Sequence, residues 1–351
     1  MDPILDALLI ETKAINQFRE MFIGIERAVR HRLTVGTAPE PGSLEEIWAG
    51  SPRRRFYACT SITISLYGAV ERFIEDLIES YVMTLGCRAR SFSDLPDEIR
   101  KHHLPKSLEL LSRIQHASYR GTTTVSKVVA NLHGTLAQNE GQALNSTAFA
   151  THRPNIRPRV VDELFEHVGV KGICSRAYRL EYASDRIGGG RETPWRLIDE
   201  LAERRNEISH GVTSDFLGLE LLGEYIAEIE VFCAAVHEVA NSEALRPVVK
   251  YHALKLPKAE KVINHNIVCL SNGGHSIVQD DSLIAETGDP ALPFRIGRIK
   301  KIEIDGSEVQ SIPEGEMVLV GLEVEMRTKQ NHQHHLVPSG VLNRIDKRSW
   351  N

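Results

Sequence analysis

The 351-residue chain lacks any apolar run near the roughly 18 residues a membrane-crossing helix needs. Its N-terminus is acidic and amphipathic, unlike a secretory signal. Cysteine is sparse: Cys59, Cys87, Cys174, Cys233 and Cys269 are scattered without paired spacing, so neither a disulfide framework nor a thiolate zinc site is indicated. These features read as a protein of the reducing cytoplasm. Positive charge is also short. The net charge of −5 gives no global basic field to gather nucleic acid, so any RNA contact is local or made by a composite surface. No Gly-x-x-x-x-Gly-Lys-Ser/Thr loop occurs, which excludes a GTPase built on that loop. Gly188-Gly189-Gly190 lacks the following Lys-Ser/Thr and reads as a flexible connection.

What is present falls into two patterns. Residues 1–248 read as a helical domain, 258–337 as a small β-barrel and 338–351 as a tail, a multi-domain α + β chain. A first helix reaches to about Leu33, and a Gly/Pro-rich stretch, Gly36 to Pro52, follows. The core bundle spans 55–241. Its strongest helix, Arg55 to Leu85, carries Ile62, Leu66, Val70, Phe73, Leu77 and Tyr81 on one stripe. Shorter helices are expected at 95–116, 122–138, 158–168, 192–210 and 216–241. Beyond 250 the period shifts to two: 262–270, 294–304 and 317–326 read as strands, with turns at Asp305-Gly306 and Pro313-Glu314-Gly315. Lys255-Leu-Pro-Lys258 reads as the linker.

The chemistry concentrates at Arg204-Arg205-Asn206-Glu-Ile-Ser-His210-Gly211. Ile198, Leu201 and Ile208 predict a further stripe position at 205, where a guanidinium sits instead of a hydrocarbon. A charge facing a core or an interface is costly unless it is paired or used. Asn206 and His210 are one turn apart, so the amide could orient the ring. Arg205 and His210 are about 140° apart around a helix, which makes one copy a poor pincer. Two copies across a dimer axis could enclose a site. An Arg paired to Glu and a His at a helix stop, with Gly211 as the stop signal, is the structural alternative.

This motif, with Phe56-Tyr57, Ser61-Ile62, Leu66-Tyr67-Gly68-Ala69-Val70-Glu71 and Phe73-Ile74-Glu75-Asp76-Leu77, resembles the HEPN domain of the RiboL-PSP type. The resemblance implies an all-α helical-bundle endoribonuclease, usually dimeric, that cuts RNA (tRNA, mRNA or rRNA) with no cofactor or metal, often as a toxin or phage-defence effector. It implies that Arg205 stabilises phosphate charge, His210 does acid/base work and Asn206 positions the ring or the substrate. The region from Ile296-Gly297-Arg298-Ile299 through Gly321-Leu322 is similar to domain II of translational GTPases such as elongation factor Tu. That similarity implies docking to the translation machinery or tRNA. Two rivals remain: a catalytically silent, regulatory or antitoxin-like HEPN module that only dimerises or binds RNA or a protein partner such as an antitoxin, and a translation-associated factor acting through the barrel.

Other residues invite two readings each. Glu71, Glu75 and Glu79 form a row that is a solvated face or, alternatively, lines the pocket and holds Arg205. Arg204 either grips a neighbouring phosphate or stands idle. Arg53-Arg54-Arg55 reads as a solvated loop or a backbone contact. Residues 258–337 hold eight Lys/Arg against 12 Asp/Glu, so only Arg295, Arg298, Lys300 and Lys301 make a local basic edge. His332, His334 and His335 follow the last expected strand, without a Cys or acidic ligand beside them to complete a zinc set. His102-His103 sits on a polar helix with no partner in view.

Overall fold

The structure, a computed structural model, describes residues 3–35, 42, 43, 46, 48, 53–114, 123–137, 143–152, 155–187, 194–211 and 218–346. Gly188–Gly190, most of Gly36–Pro52 and the end of the tail lie outside them. The chain forms an α-helical N-terminal region followed by an antiparallel sheet. It divides into two compact units, one of residues 1–77, 152–163 and 177–237, the other of 78–151, 164–176 and 238–351. Among the described residues no helix is long and apolar enough to cross a membrane.

The first unit is helical. It holds α1 (Pro3–Thr34), the first two-thirds of α2 (Arg54–Arg88), the motif helix and most of the long helix after it. The expected α2 stripe is the core: Ile62, Leu66, Val70, Phe73 and Leu77 are buried. Arg55 is no loop residue. It sits on α2, and its guanidinium is 3.1 Å from Glu220. Within the second unit α2 continues, followed by α3 (Asp97–Arg113), α4 (Val125–Leu136) and the one-turn α5 (Ser146–Ala150). Thr124 caps α4 by accepting from the Lys127 N–H. His103 is not a partnerless surface residue: it is buried, and its Nε2 accepts from the Asn145 N–H at 3.0 Å. That bond joins α3 to the turn before α5. Periodicity could not announce α5, α7 (Ile173–Tyr178) or α8 (Glu181–Ile187), because each is two turns or less. Between them, α6 (Pro158–Glu166) agrees with the sequence expectation.

The motif helix α9 (Arg196–Ser209) and α10 (Leu219–Glu243) occupy the predicted spans. Trp195 starts α9 from the left-handed region, φ 65°, a conformation non-glycine residues rarely hold. Burial holds it there: the indole is 1% exposed and meets Phe232 of α10 edge-on, centroids 5.0 Å apart.

After α11 (Arg246–Tyr251) ten strands follow: β1 (Leu254–Lys255), β2 (Lys261–Ile263), β3 (Ile267–Ser271), β4 (Ile277–Val278), β5 (Ser282–Glu286), β6 (Phe294–Ile304), β7 (Ser307–Val309), β8 (Ser311–Ile312), β9 (Leu319–Val324) and β10 (Gln333–Val337). The main sheet runs β1-β10-β5-β6-β9-β3-β2, with β7 paired to β6 and every pairing antiparallel. The expected barrel is therefore corrected to a barrel-like sheet with two ends, not closed by hydrogen bonds. Leu256, Val268, Leu270, Leu283, Ile299 and Leu322 fill its core.

The single strand expected at 262–270 is two, because Asn264 and His265 turn the chain at φ 51° and 63°. Asp305-Gly306 makes the expected hairpin turn, both residues at positive φ. The linker reading of 255–258 also changes, since Lys255 belongs to β1 and pairs with His335. His334 and His335 do not trail the last strand; they lie on β10. The Thr328 hydroxyl joins His332 Nδ1 at 3.0 Å and His334 Nε2 at 2.9 Å. The short helix α12 (Val341–Asp346) follows.

Burial lowers the pKa of His103 and of His334 to about 4 in each case. A histidine depressed on folding takes up its proton in the unfolded chain first, so its stabilising contribution is complete above the unfolded pKa of about 6.5. It is lost as pH falls from there to about 4, at up to about 3 kcal/mol per histidine. Thermal melts at pH 7.5, 6 and 5 should show a midpoint that falls steeply across this window. A flat profile would contradict the burial of both rings.

Candidate active site

Arg205 lies on the buried stripe of α9 one turn beyond Leu201, where the helix emerges from its packing and side chains become half-buried. Its guanidinium carbon stands 5.2 Å from the ring centroid of Tyr67 on α2. This contact explains the guanidinium at a position patterned for hydrocarbon. The group is planar and weakly hydrated, and an aromatic face supplies both apolar contact and electrostatic attraction. Among the described residues no carboxylate lies within salt-bridge distance of Arg205.

Tyr67 is itself fixed. Its ring is 3% exposed, and its hydroxyl accepts from the Ile156 N–H at 2.8 Å and donates to Glu71 at 3.1 Å. Burial, reinforced by the Glu71 charge, pushes its pKa up to about 12, so the phenol stays protonated and the bond to Glu71 persists. Glu71 therefore acts on Arg205 only through Tyr67, and the expectation that Glu71 or Glu75 grips the arginine directly is corrected. Glu75 is engaged by His152, whose Nε2 is 3.1 Å from it and 3.9 Å from Glu71. In the other unit, Glu79 accepts from the Thr147 hydroxyl at 2.7 Å. The glutamate row is a set of anchoring points rather than a solvated face.

Asn206 is placed differently from expectation. Its Oδ1 accepts from Asn155 Nδ2 at 2.5 Å and, more weakly, from Arg205 Nη1 at 3.4 Å. The contact with His210 is through the backbone: the His210 N–H donates to the Asn206 carbonyl. The carboxamide thus steadies the arginine rather than the imidazole. His210 caps the C-terminus of α9 and is exposed, with Gly211 beyond it at φ 71°. Only glycine adopts that left-handed turn readily, which is how the sequence stops the helix. Arg204 pairs with Glu207 at 3.0 Å and lines a cavity of about 590 Å³ whose walls include neither Arg205 nor His210.

The motif helix thus brings Arg205 and Asn206 onto the Tyr67 platform and leaves His210 at its exposed end. Chemically, the arrangement offers a positioned guanidinium, most of whose five N–H donors are unspent among the described residues, and an imidazole open to solvent. Tyr67, His152 and Asn155 were not singled out from the sequence. Tyr67 carried one signal, its i,i+4 spacing to Glu71. His152 and Asn155 carried none, because they lie in an aperiodic segment that meets α2 and α9 only in three dimensions.

A family model described as RiboL-PSP-HEPN matches residues 41–242, more than half of the chain and all of the residues just described. HEPN domains are linked to ribonuclease or RNA-binding activity. Searches of curated proteins and of solved structures returned no match. With its long α2, its motif helix and the Arg205-Asn206-x-x-x-His210 run inside the matched span, the chain belongs to the RiboL-PSP-HEPN family.

Proposed function

We propose that the protein is a metal-independent endoribonuclease. The observation that carries this reading is Arg205, held half-buried on Tyr67 with no carboxylate neutralising it among the described residues. A cation kept at that cost, with one N–H donor given to Asn206 among the described residues, suits a phosphodiester oxygen. In the reaction proposed, the ribose 2′-oxygen attacks phosphorus, the bond to the 5′-oxygen breaks, and a 2′,3′-cyclic phosphate and a 5′-hydroxyl result. His210 removes the proton of the 2′-hydroxyl or supplies one to the leaving oxygen. Arg205 bears on the phosphoryl oxygens, and Asn206 steadies Arg205. Arg204, Glu71 and Glu75 are supporting residues, the first near the RNA backbone and the others through Tyr67 and His152.

One imidazole cannot perform both proton transfers at once, so the working unit is a homodimer whose two α9 ends face each other and supply the acid and the base. Large exposed apolar side chains on α1, among them Ile10 and Met21, supply material for such an interface. In this reading the helical region (1–248) cuts and the barrel-like region (258–337) docks to the translation apparatus, as its likeness to domain II of translational GTPases suggests, with 338–351 as a tail. The setting is cytoplasmic toxin or phage-defence action on tRNA, mRNA or rRNA. A second reading, a silent RNA-binding module, is favoured by one observation: within one protomer Asn206 does not orient the His210 ring.

Purified protein should cut total RNA in the presence of EDTA. His210→Ala and Arg205→Ala should each lower the rate by about 10²–10⁴-fold while circular dichroism stays native. RNA that is bound but left intact by the wild type would favour the silent module.

Replacement of the platform separates ring from hydroxyl. Tyr67→Phe keeps the aromatic face and should keep most activity, at a stability cost of about 1–3 kcal/mol for the stranded Ile156 N–H. Tyr67→Leu, which removes the face, should cost at least about tenfold in kcat. Equal rates for the two variants would show that the arginine does not depend on the ring.

A further inference from the structure

We propose that the second unit binds a nucleoside monophosphate, in a cavity of about 520 Å³ that the nuclease reading does not use. Arg88, Arg295 and Arg327 line it against a single carboxylate, Glu238. A net lining charge of +2 stands out in a chain of net charge −5. It matches the roughly −1.5 to −2 carried by a phosphate monoester near pH 7.

The pairing along β6 sharpens the point. The expected basic edge is largely neutralised: Arg298 lies 3.9 Å from Asp280, Lys300 3.4 Å from Glu325, and Lys301 2.6 Å from Glu303. Arg295, on the same strand, has no carboxylate within salt-bridge distance among the described residues, and neither does Arg327, just past β9. Both of these guanidinium groups line this cavity, together with Arg88. Paired forks of this kind grip phosphate in bidentate fashion.

The remaining wall is apolar. Leu292, Phe294, Ile296, Met326 and Leu342 offer a surface for a base and sugar, and Glu238 offers an acceptor to ribose hydroxyls. Gly297 shapes this wall: a Cβ there would stand 2.8 Å from the Met326 backbone nitrogen, so only glycine lets that segment close against β6. The volume falls within the range of small-molecule sites, about 300–1,000 Å³. A nucleoside monophosphate can arrive free or as the 5′-phosphorylated end of an RNA, and both present the same phosphate, sugar and base.

Isothermal titration of the 351-residue chain tests this with AMP, GMP, CMP and UMP, beside adenosine, inorganic phosphate and a 5′-phosphorylated 2′-O-methyl tetranucleotide. At least one monophosphate should bind about tenfold or more tighter than adenosine or phosphate, and Arg295→Gln and Arg327→Gln should each weaken it about tenfold. Tighter binding of the tetranucleotide would identify an RNA end as the source, and the reverse a free nucleotide. Absence of heat with every nucleotide, phosphate binding as well as the monophosphates, or full affinity in both variants would overturn the proposal. Should Arg295→Gln fail to fold, Arg327→Gln decides, since Arg327 is exposed and its loss disturbs no packing.

Discussion

The contact on which the candidate site depends is a guanidinium resting on a phenol. Arg205 stands half-buried in the helical unit, where an ion commonly has a counter-ion, and among the described residues it meets an aromatic face instead. A carboxylate in that place would have satisfied the arginine and taken up its donors. The ring holds it without using them. That difference separates a structural salt bridge from a group still able to meet an incoming anion.

Several elements cooperate to keep the platform still. The Tyr67 hydroxyl is bonded on both sides, by Ile156 and Glu71, and the neighbouring Asn155 takes Asn206. His152 and Ile156 therefore bond to α2, through Glu75 and Tyr67, and Asn155 bonds to α9, through Asn206. These three residues link the two helices, although they belong to no periodic pattern.

The contrast explains what could be read from the sequence. Long helices were legible because α2 and α10 repeat an apolar face over many turns, and β6 and β9 because they alternate. Strands β5 and β10 were not: Ser282-Leu-Ile-Ala-Glu286 is too short, and Gln333-His-His-Leu-Val337 buries histidines that composition reads as polar. At the site, Arg205, Asn206 and His210 stand within six residues and announce themselves. Tyr67 lies 138 residues upstream of Arg205, and no local pattern joins the two. Asn206 shows the limit of spacing arguments, since its one-turn relation to His210 was real while its side chain turned to a residue from elsewhere in the chain.

The open sheet carries its own safeguard. A sheet with two free margins is a template on which other copies can anneal, strand upon strand, into fibres. Here the terminal strands β1 and β2 are two and three residues long and bear Lys255 and Lys261. Margins so brief and so charged offer too few amides in a row to seed such growth.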